Sequence, residues 1–208
     1  LRMVPDLPRL RISSIDSIEA DPDLMEAIAS EPRLMPHLHL SLQHGDDLIL
    51  KRMRRRHSRA QAIALAQSLK AARPEITIGA DLIAGFPTES EPAHANTLAM
   101  VNEADITHAH VFPYSPRDRT PAARMPQVAP DLARTRAAAL RTASTRRRAV
   151  MLATQVGTVQ PVLIERPGDR GHTPAFAELR LGTAVPVGSI VNARVTAATP
   201  THLIGTPE

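Results

Sequence analysis

The chain has 208 residues, and its 25 lysines and arginines outnumber its 21 aspartates and glutamates, for a formal net charge of +4. That balance fits a nucleic-acid partner without requiring one. The chain contains no cysteine, which excludes disulfides, thiolate zinc sites, cysteine nucleophiles and cysteine-held iron–sulfur clusters. No apolar run approaches the length of a membrane span and no signal peptide is visible, so we expect a cytoplasmic protein without a membrane partner.

The hydrophobic core must be mostly aliphatic. Hydrophobic residues make up 43% of the chain, yet there is no tryptophan, one tyrosine and three phenylalanines. The length suits one large domain or two small ones. Because the chain does not begin with methionine and has little sequence before its first apolar segment, we expect it to be a piece of a longer protein.

The first part of the chain alternates candidate strands and helices. Residues 10–14 form a short apolar segment that is a candidate strand. Asp21 followed by Pro22 is typical of a helix start, and this helix should end near Ser30. Residues 37–42 alternate polar and apolar side chains, which predicts a strand with one buried face.

A polar loop and a basic run follow this strand. Four loop residues could form a ligand site at the strand end or an ordinary solvated turn; they are Gln43, His44, Asp46 and Asp47. The basic residues just beyond could bind phosphate or carboxylate, or lie on a solvated helical face; they are Lys51, Arg52, Arg54, Arg55 and Arg56. On a helix, Arg52 and Arg55 share a side and Arg54 points elsewhere, so the run is not a single patch.

The alternation continues to about residue 113. Residues 59–72 and 92–103 read as helices, and residues 76–84 and 107–113 read as strands. This order predicts parallel βα units with right-handed crossovers. In such folds ligands bind at the carboxyl ends of the strands.

The pattern changes after Pro130. Residues 131–154 read as a long helix with a cationic face. Short β segments separated by Gly and Pro turns follow, at residues 156–165, 175–181, 188–197 and 202–206. They suggest a small antiparallel barrel of a kind that often binds nucleic acid.

Three further features of the predicted strands bear on function. Asp81 lies inside an apolar strand, so its carboxylate needs a partner or an exit toward the mouth of the sheet. Gly85 could give a ligand ring a flat approach, or it could be a turn glycine. His108 and His110 share one face of a strand, but two ligands are too few, and we predict no metal site.

Four stretches of the chain resemble the tRNA methylthiotransferases of the radical S-adenosylmethionine superfamily. They are RLRISSI (9–15), PHLHLSLQHGDDLILKRMRRRHS (36–58), GADLIAGFPTES (79–90) and HAHVFPYSPRDRTPAARMP (108–126). Within that family the resemblance is closest to the branch that acts on threonylcarbamoyladenosine. After residue 155 the likeness is weaker and is to the small RNA-binding TRAM domain.

The resemblance implies an α/β fold in three parts. Residues 1–130 would hold the last four strands of a partial (βα)6 radical S-adenosylmethionine barrel, residues 131–154 a connecting helix, and residues 155–208 a TRAM-like, OB-like β-barrel. The family's N-terminal methylthiotransferase domain and first two barrel strands would be missing, and with them the cysteines that hold the [4Fe–4S] clusters. We therefore expect this fragment to be inactive alone.

The resemblance also implies chemistry and site residues. In the parent protein a 5′-deoxyadenosyl radical from S-adenosylmethionine would remove hydrogen from carbon 2 of the modified adenosine beside the anticodon, and a methylthio group would replace it. The residues implied for S-adenosylmethionine are Gln43, Arg55, Asp81, Gly85, Phe112 and Tyr114, with Arg55 forking onto the amino-acid carboxylate. The residues implied for tRNA are His44, Arg52, Arg54, Arg146, Arg147 and Arg148, although His44 could instead only fill its loop.

Two alternatives stay open. The parent could be a sister methylthiotransferase that acts on isopentenyladenosine or on a ribosomal protein. The chain could also be a non-catalytic RNA-binding remnant.

Overall fold

A computed structural model describes residues 3–208 of the chain. The helices are α1 (Pro22–Ser30), α2 (Asp47–Arg52), α3 (Arg59–Ala72), α4 (Glu91–Glu103) and α5 (Pro130–Ala153). The strands are β1 (His37–Gln43), β2 (Thr77–Ala84), β3 (Ile106–Pro113), β4 (Val159–Glu165), β5 (Arg170–His172), β6 (Glu178–Leu181), β7 (Ile190–Ala198) and β8 (Leu203–Pro207). None of the helices in this described range combines the length and apolarity that a membrane crossing needs.

The first half of the molecule is a three-stranded parallel sheet in the order β1-β2-β3. Along β1, Leu38, Leu40 and Leu42 are at most 1% exposed and belong to one core with residues of α3, α4 and α5. The intervening residues of β1 face the other side of the sheet, as the period of a strand requires. The predicted α/β class with a parallel sheet is therefore confirmed.

The candidate strand at residues 10–14 is not a strand in the structure. The segment touches its neighbours only through isolated parallel bridges, Leu10 to Leu34 and Ile15 to Leu40. Leu10 and Ile15 are five residues apart, whereas their partners are six apart, so the two bridges cannot belong to one continuous ladder. Within residues 3–208 the sheet thus has three strands instead of the expected four.

The second half is a closed barrel in the order β4-β5-β6-β8-β7. Its pairs are antiparallel except β6 with β8, which run parallel. The prediction of an antiparallel barrel was therefore wrong for one pair. It also missed β5, because three residues around Gly171 are too few to show alternation.

Phe176, in the turn before β6, joins the barrel to the sheet. Its ring centroid lies 4.5 Å from that of His37 and 5.6 Å from that of His108, on the sheet face opposite the helices. The guanidinium carbon of Arg11 lies 4.7 Å from the same ring. Burial lowers the pKa of His37 to about 3 and that of His108 to about 2, so both rings are neutral at pH 7.

Substituting Phe176 with alanine should therefore loosen the contact between sheet and barrel. We expect a loss of about 1–3 kcal/mol in the free energy of unfolding, below the range for a fully buried Phe because this ring is only half-buried. Urea denaturation followed by circular dichroism measures this loss. The matched control is Phe112→Ala, because Phe112 is 54% exposed and its removal should change stability little. Equal effects of the two variants would contradict the role of Phe176.

Candidate functional site

A cavity of about 520 Å³ opens at the carboxyl ends of the three parallel strands. Residues from the ends of all three strands line it, and among them are Gln43, Asp81, Ile83, Phe112 and Tyr114. Parallel strands bring their carboxyl ends to one edge of a sheet, which is where ligands bind in α/β folds. The structure thus brings four of the residues implied for S-adenosylmethionine into one cavity.

A second cavity of about 510 Å³ adjoins the first and shares four lining residues with it, Gln43, Ile83, Thr120 and Ala122. The second cavity adds cationic side chains to the lining, namely Arg52, Arg54 and Arg55. Together the two cavities offer an apolar wall, an amide and a cationic wall, a combination that suits a zwitterionic or anionic ligand with a flat ring.

Gln43 stands between the two cavities in a strained backbone conformation. Its φ is +65°, in the left-handed region that non-glycine residues seldom occupy. The pairing of β1 with β2 shifts between Leu40 and Gln43, so the strand ends in an irregularity that aims Gln43 into both cavities. Strained residues of this kind concentrate at binding sites, which makes Gln43 a strong candidate for ligand contact.

Arg55 is held beside the end of β1 with one donor group left over. Its Nη2 donates to the carbonyl oxygen of Ser41 at 2.5 Å, and its Nη1 lies 3.5 Å from a carboxylate oxygen of Asp16. Its Nε is buried and finds no hydrogen-bond partner among residues 3–208. A buried unpaired donor costs about 1–3 kcal/mol, so a carboxylate ligand that accepted from it would be favoured.

Gly85 is a turn glycine in the structure. It has a φ of +73°, and a Cβ placed there would come within 2.3 Å of the Cβ of Ala133 on α5. The side of the glycine where a Cβ would lie therefore packs against α5. Its amide N–H donates to Oε2 of Glu89 at 2.6 Å, and that of Phe86 donates to the same oxygen at 3.2 Å.

Glu89 is the centre of a buried polar network that sequence reasoning missed. Its side chain is fully buried, and its Oε1 lies 3.2 Å from Nη1 of Arg136 on α5. Burial would raise the pKa of Glu89, but the hydrogen bond and charge of His44, the Gly85 amide and the charge of Arg136 outweigh burial and lower it. Glu89 thus fixes the loop after β2, next to the cavity.

His44 belongs to this network, so its predicted contact with tRNA needs correction. The residue is 1% exposed, and its Nε2 lies 3.4 Å from Glu89. Its Nδ1 accepts the amide N–H of Asp46 at 3.1 Å. Both ring nitrogens are therefore committed inside the protein, and His44 fills its loop instead of reaching a substrate base.

The two carboxylates of the polar loop cap helices. Asp46 accepts from the amides of Leu48 and Ile49 at the start of α2. Asp47 accepts the amide N–H of Arg59 at 2.7 Å, at the start of α3. For these two residues the interpretation as a turn is the better one, because Oδ1 of each carboxylate accepts from helix-terminal amides.

The arginines predicted to bind tRNA lie in two separate places. Arg52 and Arg54 are exposed at the cavity mouth. Arg147 donates twice to Asp105, and Nε of Arg148 donates to the carbonyl oxygen of Thr107, both at the amino end of β3. These last two side chains are therefore engaged inside the protein, and of the three on α5 only Arg146 is exposed.

No protein-family model matches the chain. Among curated proteins, the threonylcarbamoyladenosine tRNA methylthiotransferase MtaB of Rickettsia prowazekii is 45% identical over 94% of this chain and 46% of its own length. The tRNA-2-methylthio-N(6)-dimethylallyladenosine synthases of Erythrobacter litoralis and Agrobacterium fabrum are 35% and 36% identical over 97% and 98% of this chain and 46% of each relative. The chain thus spans about half the length of the curated relatives that it matches.

Among solved structures, the radical S-adenosylmethionine enzyme coproporphyrinogen III oxidase (HemN) from Escherichia coli aligns with a TM-score of 0.49. The alignment covers 94% of this chain and 50% of that one at 17% identity, a likeness too weak to support a statement about this chain. The curated relatives, in contrast, are similar enough in sequence to show a relationship. Over nearly its whole length the chain is similar to about half of the tRNA methylthiotransferase MtaB, as the resemblance of its motifs predicts.

Proposed function

We propose that the chain is the S-adenosylmethionine- and tRNA-binding part of a methylthiotransferase. The whole protein would add a methylthio group to carbon 2 of N6-threonylcarbamoyladenosine beside the anticodon of tRNA. The observation that carries this proposal is the 45% identity to MtaB over 94% of the chain. The relatives named for dimethylallyladenosine are less similar, at 35% and 36%, and stand for the second candidate substrate.

The cavity residues support a site for S-adenosylmethionine. The proposed contacts are Gln43, Arg55, Asp81, Phe112 and Tyr114. The charge of Arg55 and its Nε, which has no partner among residues 3–208, suit the amino-acid carboxylate, because hydrogen bonds between a guanidinium and a carboxylate are charge-assisted. Phe112 and Tyr114 offer aromatic surface for the adenine, and Gln43 offers an amide to the polar groups between. When bound, S-adenosylmethionine would supply the radical-forming adenosyl group and the methyl group.

The residues of this chain do not fit an iron–sulfur cluster. Such clusters are held by cysteine thiolates, and the sequence has none. The clusters of the whole protein would therefore be held by another part of it, the N-terminal methylthiotransferase domain and the first barrel strands. What these 208 residues contribute is binding, orientation and the exclusion of water around the reacting groups.

The fold supports a finer division of the chain. Residues 1–130 would be the end of a partial radical S-adenosylmethionine barrel, and residues 155–208 a TRAM domain, since a closed five-stranded barrel suits OB-like RNA binding. Residues 131–154 would connect them, while α5 also packs along β3. The candidate tRNA contacts are the exposed arginines Arg52, Arg54 and Arg146.

Binding of tRNA by the Arg54→Gln variant tests the proposed RNA contact. We expect tRNA affinity to fall several-fold and the slope of log affinity against log salt to fall by about one, since one phosphate contact is lost. Fluorescence anisotropy with a labelled tRNA that carries threonylcarbamoyladenosine measures both quantities. The matched control is Arg134→Gln, an exposed arginine on α5 that pairs with Asp131.

Three results from this titration and a parallel measurement of S-adenosylmethionine binding would count against the proposal. Equal affinity of wild type and Arg54→Gln at every salt concentration would remove Arg54 from the RNA site. Tighter binding of a tRNA that carries isopentenyladenosine than of the threonylcarbamoyl form would favour the sister enzyme. Binding of RNA without any binding of S-adenosylmethionine would favour the non-catalytic remnant.

A further inference from the structure

The three strands of the sheet bring two histidines and one aspartate together. His39 lies on β1, Asp81 on β2 and His110 on β3, all on the sheet face opposite the helices. Asp81 and His110 are direct cross-strand partners. Nε2 of His39 lies 3.1 Å from Oδ1 of Asp81, and Nδ1 of His110 lies 3.4 Å from the same oxygen.

The glycine beside this group gives the His39 ring its place. Gly79 is the cross-strand partner of His39, and a Cβ at Gly79 would come within 2.6 Å of Nδ1 of His39. The side-chain-free position lets the imidazole lean over β2, which brings its Nε2 to Asp81, two residues farther along that strand. The glycine therefore allows the imidazole of His39 on β1 to reach the carboxylate of Asp81 on β2.

The spacing of the donor atoms suits a metal ion. One ligand atom from each of the three residues lies within 4.8 Å of the other two. A tetrahedral ion with ligands at about 2.0–2.2 Å needs donor atoms roughly 3.3–3.6 Å apart, close to the two distances above. Two imidazoles and one carboxylate are a ligand set that zinc and other divalent transition metals use, with coordination positions left for water or substrate.

We propose that His39, Asp81 and His110 form a binding site for a divalent transition metal, with zinc as the best-suited ion. The side chain of His110 is 62% exposed, whereas those of His39 and Asp81 are 13% and 28% exposed. The site is thus exposed to solvent at His110 on β3, whereas His39 and Asp81 are mostly buried. Asp81 is shared with the proposed S-adenosylmethionine site, but the metal site goes beyond the proposed function, because its ligands are nitrogen and oxygen atoms and no cluster is involved.

Titration of the tag-free chain with zinc chloride tests this site. We expect one ion to bind per chain, by isothermal calorimetry, and cobalt chloride to give the visible absorption of a tetrahedral site. His110→Ala and Asp81→Asn should each weaken zinc binding at least tenfold. His110 is largely exposed, so its variant should keep the wild-type circular dichroism spectrum and melting temperature without metal.

The matched control is His202→Ala, a histidine of the loop between β7 and β8 that lies outside the group. It should bind zinc as wild type does. No zinc binding by the folded wild type would overturn the proposal, as would equal affinity of wild type, His110→Ala and Asp81→Asn. S-adenosylmethionine binding, measured on the same His110→Ala sample, separates a failure of the metal site from a failure of the proposed function.

Discussion

Replacing Glu89 with alanine is expected to lower the free energy of unfolding by about 3–5 kcal/mol, the range for breaking a buried ion pair by removing one partner. The substitution leaves the guanidinium of Arg136, whose side chain is 5% exposed, without its buried partner. It also leaves the amides of Gly85 and Phe86 without their acceptor. Chemical denaturation with urea measures the loss.

Glu91→Ala is the matched control for this prediction. Glu91 also pairs with Arg136, through Nη2 at 2.9 Å, but its side chain is 77% exposed. Because exposed ion pairs contribute little, its removal should cost less than about 1 kcal/mol. If the two variants were equally stable, the buried network would not hold the loop as described.

The contribution of Glu89 should depend on pH in a defined direction. Its pKa is lower in the folded chain than its ordinary value of 4.5, so the folded state favours the ionised form. The stabilisation is therefore fully present above pH 4.5 and is lost as pH falls through the lower, folded pKa. Stability curves of wild type and Glu89→Gln should converge at acid pH, and a constant gap down to pH 2 would contradict this.

Replacing Arg55 with alanine is expected to weaken S-adenosylmethionine binding about 10–100-fold. Hydrogen bonds to charged groups contribute about 1.5–3 kcal/mol, and each 1.4 kcal/mol is tenfold in affinity. The variant removes the guanidinium whose Nε is buried without a partner beside the cavity. Calorimetric titration of the chain with S-adenosylmethionine measures the change.

Two further variants test whether the loss of S-adenosylmethionine affinity is specific to the guanidinium of Arg55. Arg56→Ala removes an exposed neighbouring charge and should leave the affinity unchanged. Arg55→Lys keeps the charge without the fork and should give an intermediate loss. An Arg55→Ala variant that stays folded and binds as tightly as wild type would exclude Arg55 from the site.

Local signals were sufficient to predict the helices and the parallel sheet. Asp21 accepts an amide hydrogen bond at the start of α1, as its position before Pro22 predicts, and Ser58 does the same at the start of α3. The alternation along β1 shows which residues are buried, because a strand has a period of two. Phe112 and Tyr114 line the first cavity, because the carboxyl ends of parallel strands meet at one edge of the sheet.

The sequence predictions that the structure corrects concern contacts between residues far apart in the chain. Residues 10–14 are apolar enough for a strand, but a strand also needs continuous pairing with β1. The sequence alone does not show whether that pairing forms. Glu89 and Arg136 are 47 positions apart, and nothing local marks either of them as buried. His39 and His110 are likewise far apart in sequence, and only the pairing of both strands with β2 brings them to Asp81.

The site residues divide in the same way. Arg147 and Arg148 read as a cationic face, but their partners Asp105 and Thr107 lie at the amino end of β3. His44 stands next to Gln43 in sequence, yet one residue faces Glu89 and the other the cavity. Neighbouring side chains leave a strand end in different directions, and only the packed structure shows which one is accessible.

The most direct test of the central claim is whether the purified chain binds S-adenosylmethionine and whether it cleaves it. The chain would be supplied with iron, sulfide and dithionite, and 5′-deoxyadenosine would be measured by chromatography beside the calorimetric titration. The account predicts saturable binding of one S-adenosylmethionine per chain and no 5′-deoxyadenosine, because the binding residues are present and no cysteine is available for a cluster. Formation of 5′-deoxyadenosine, or no detectable binding by the folded chain, would contradict it.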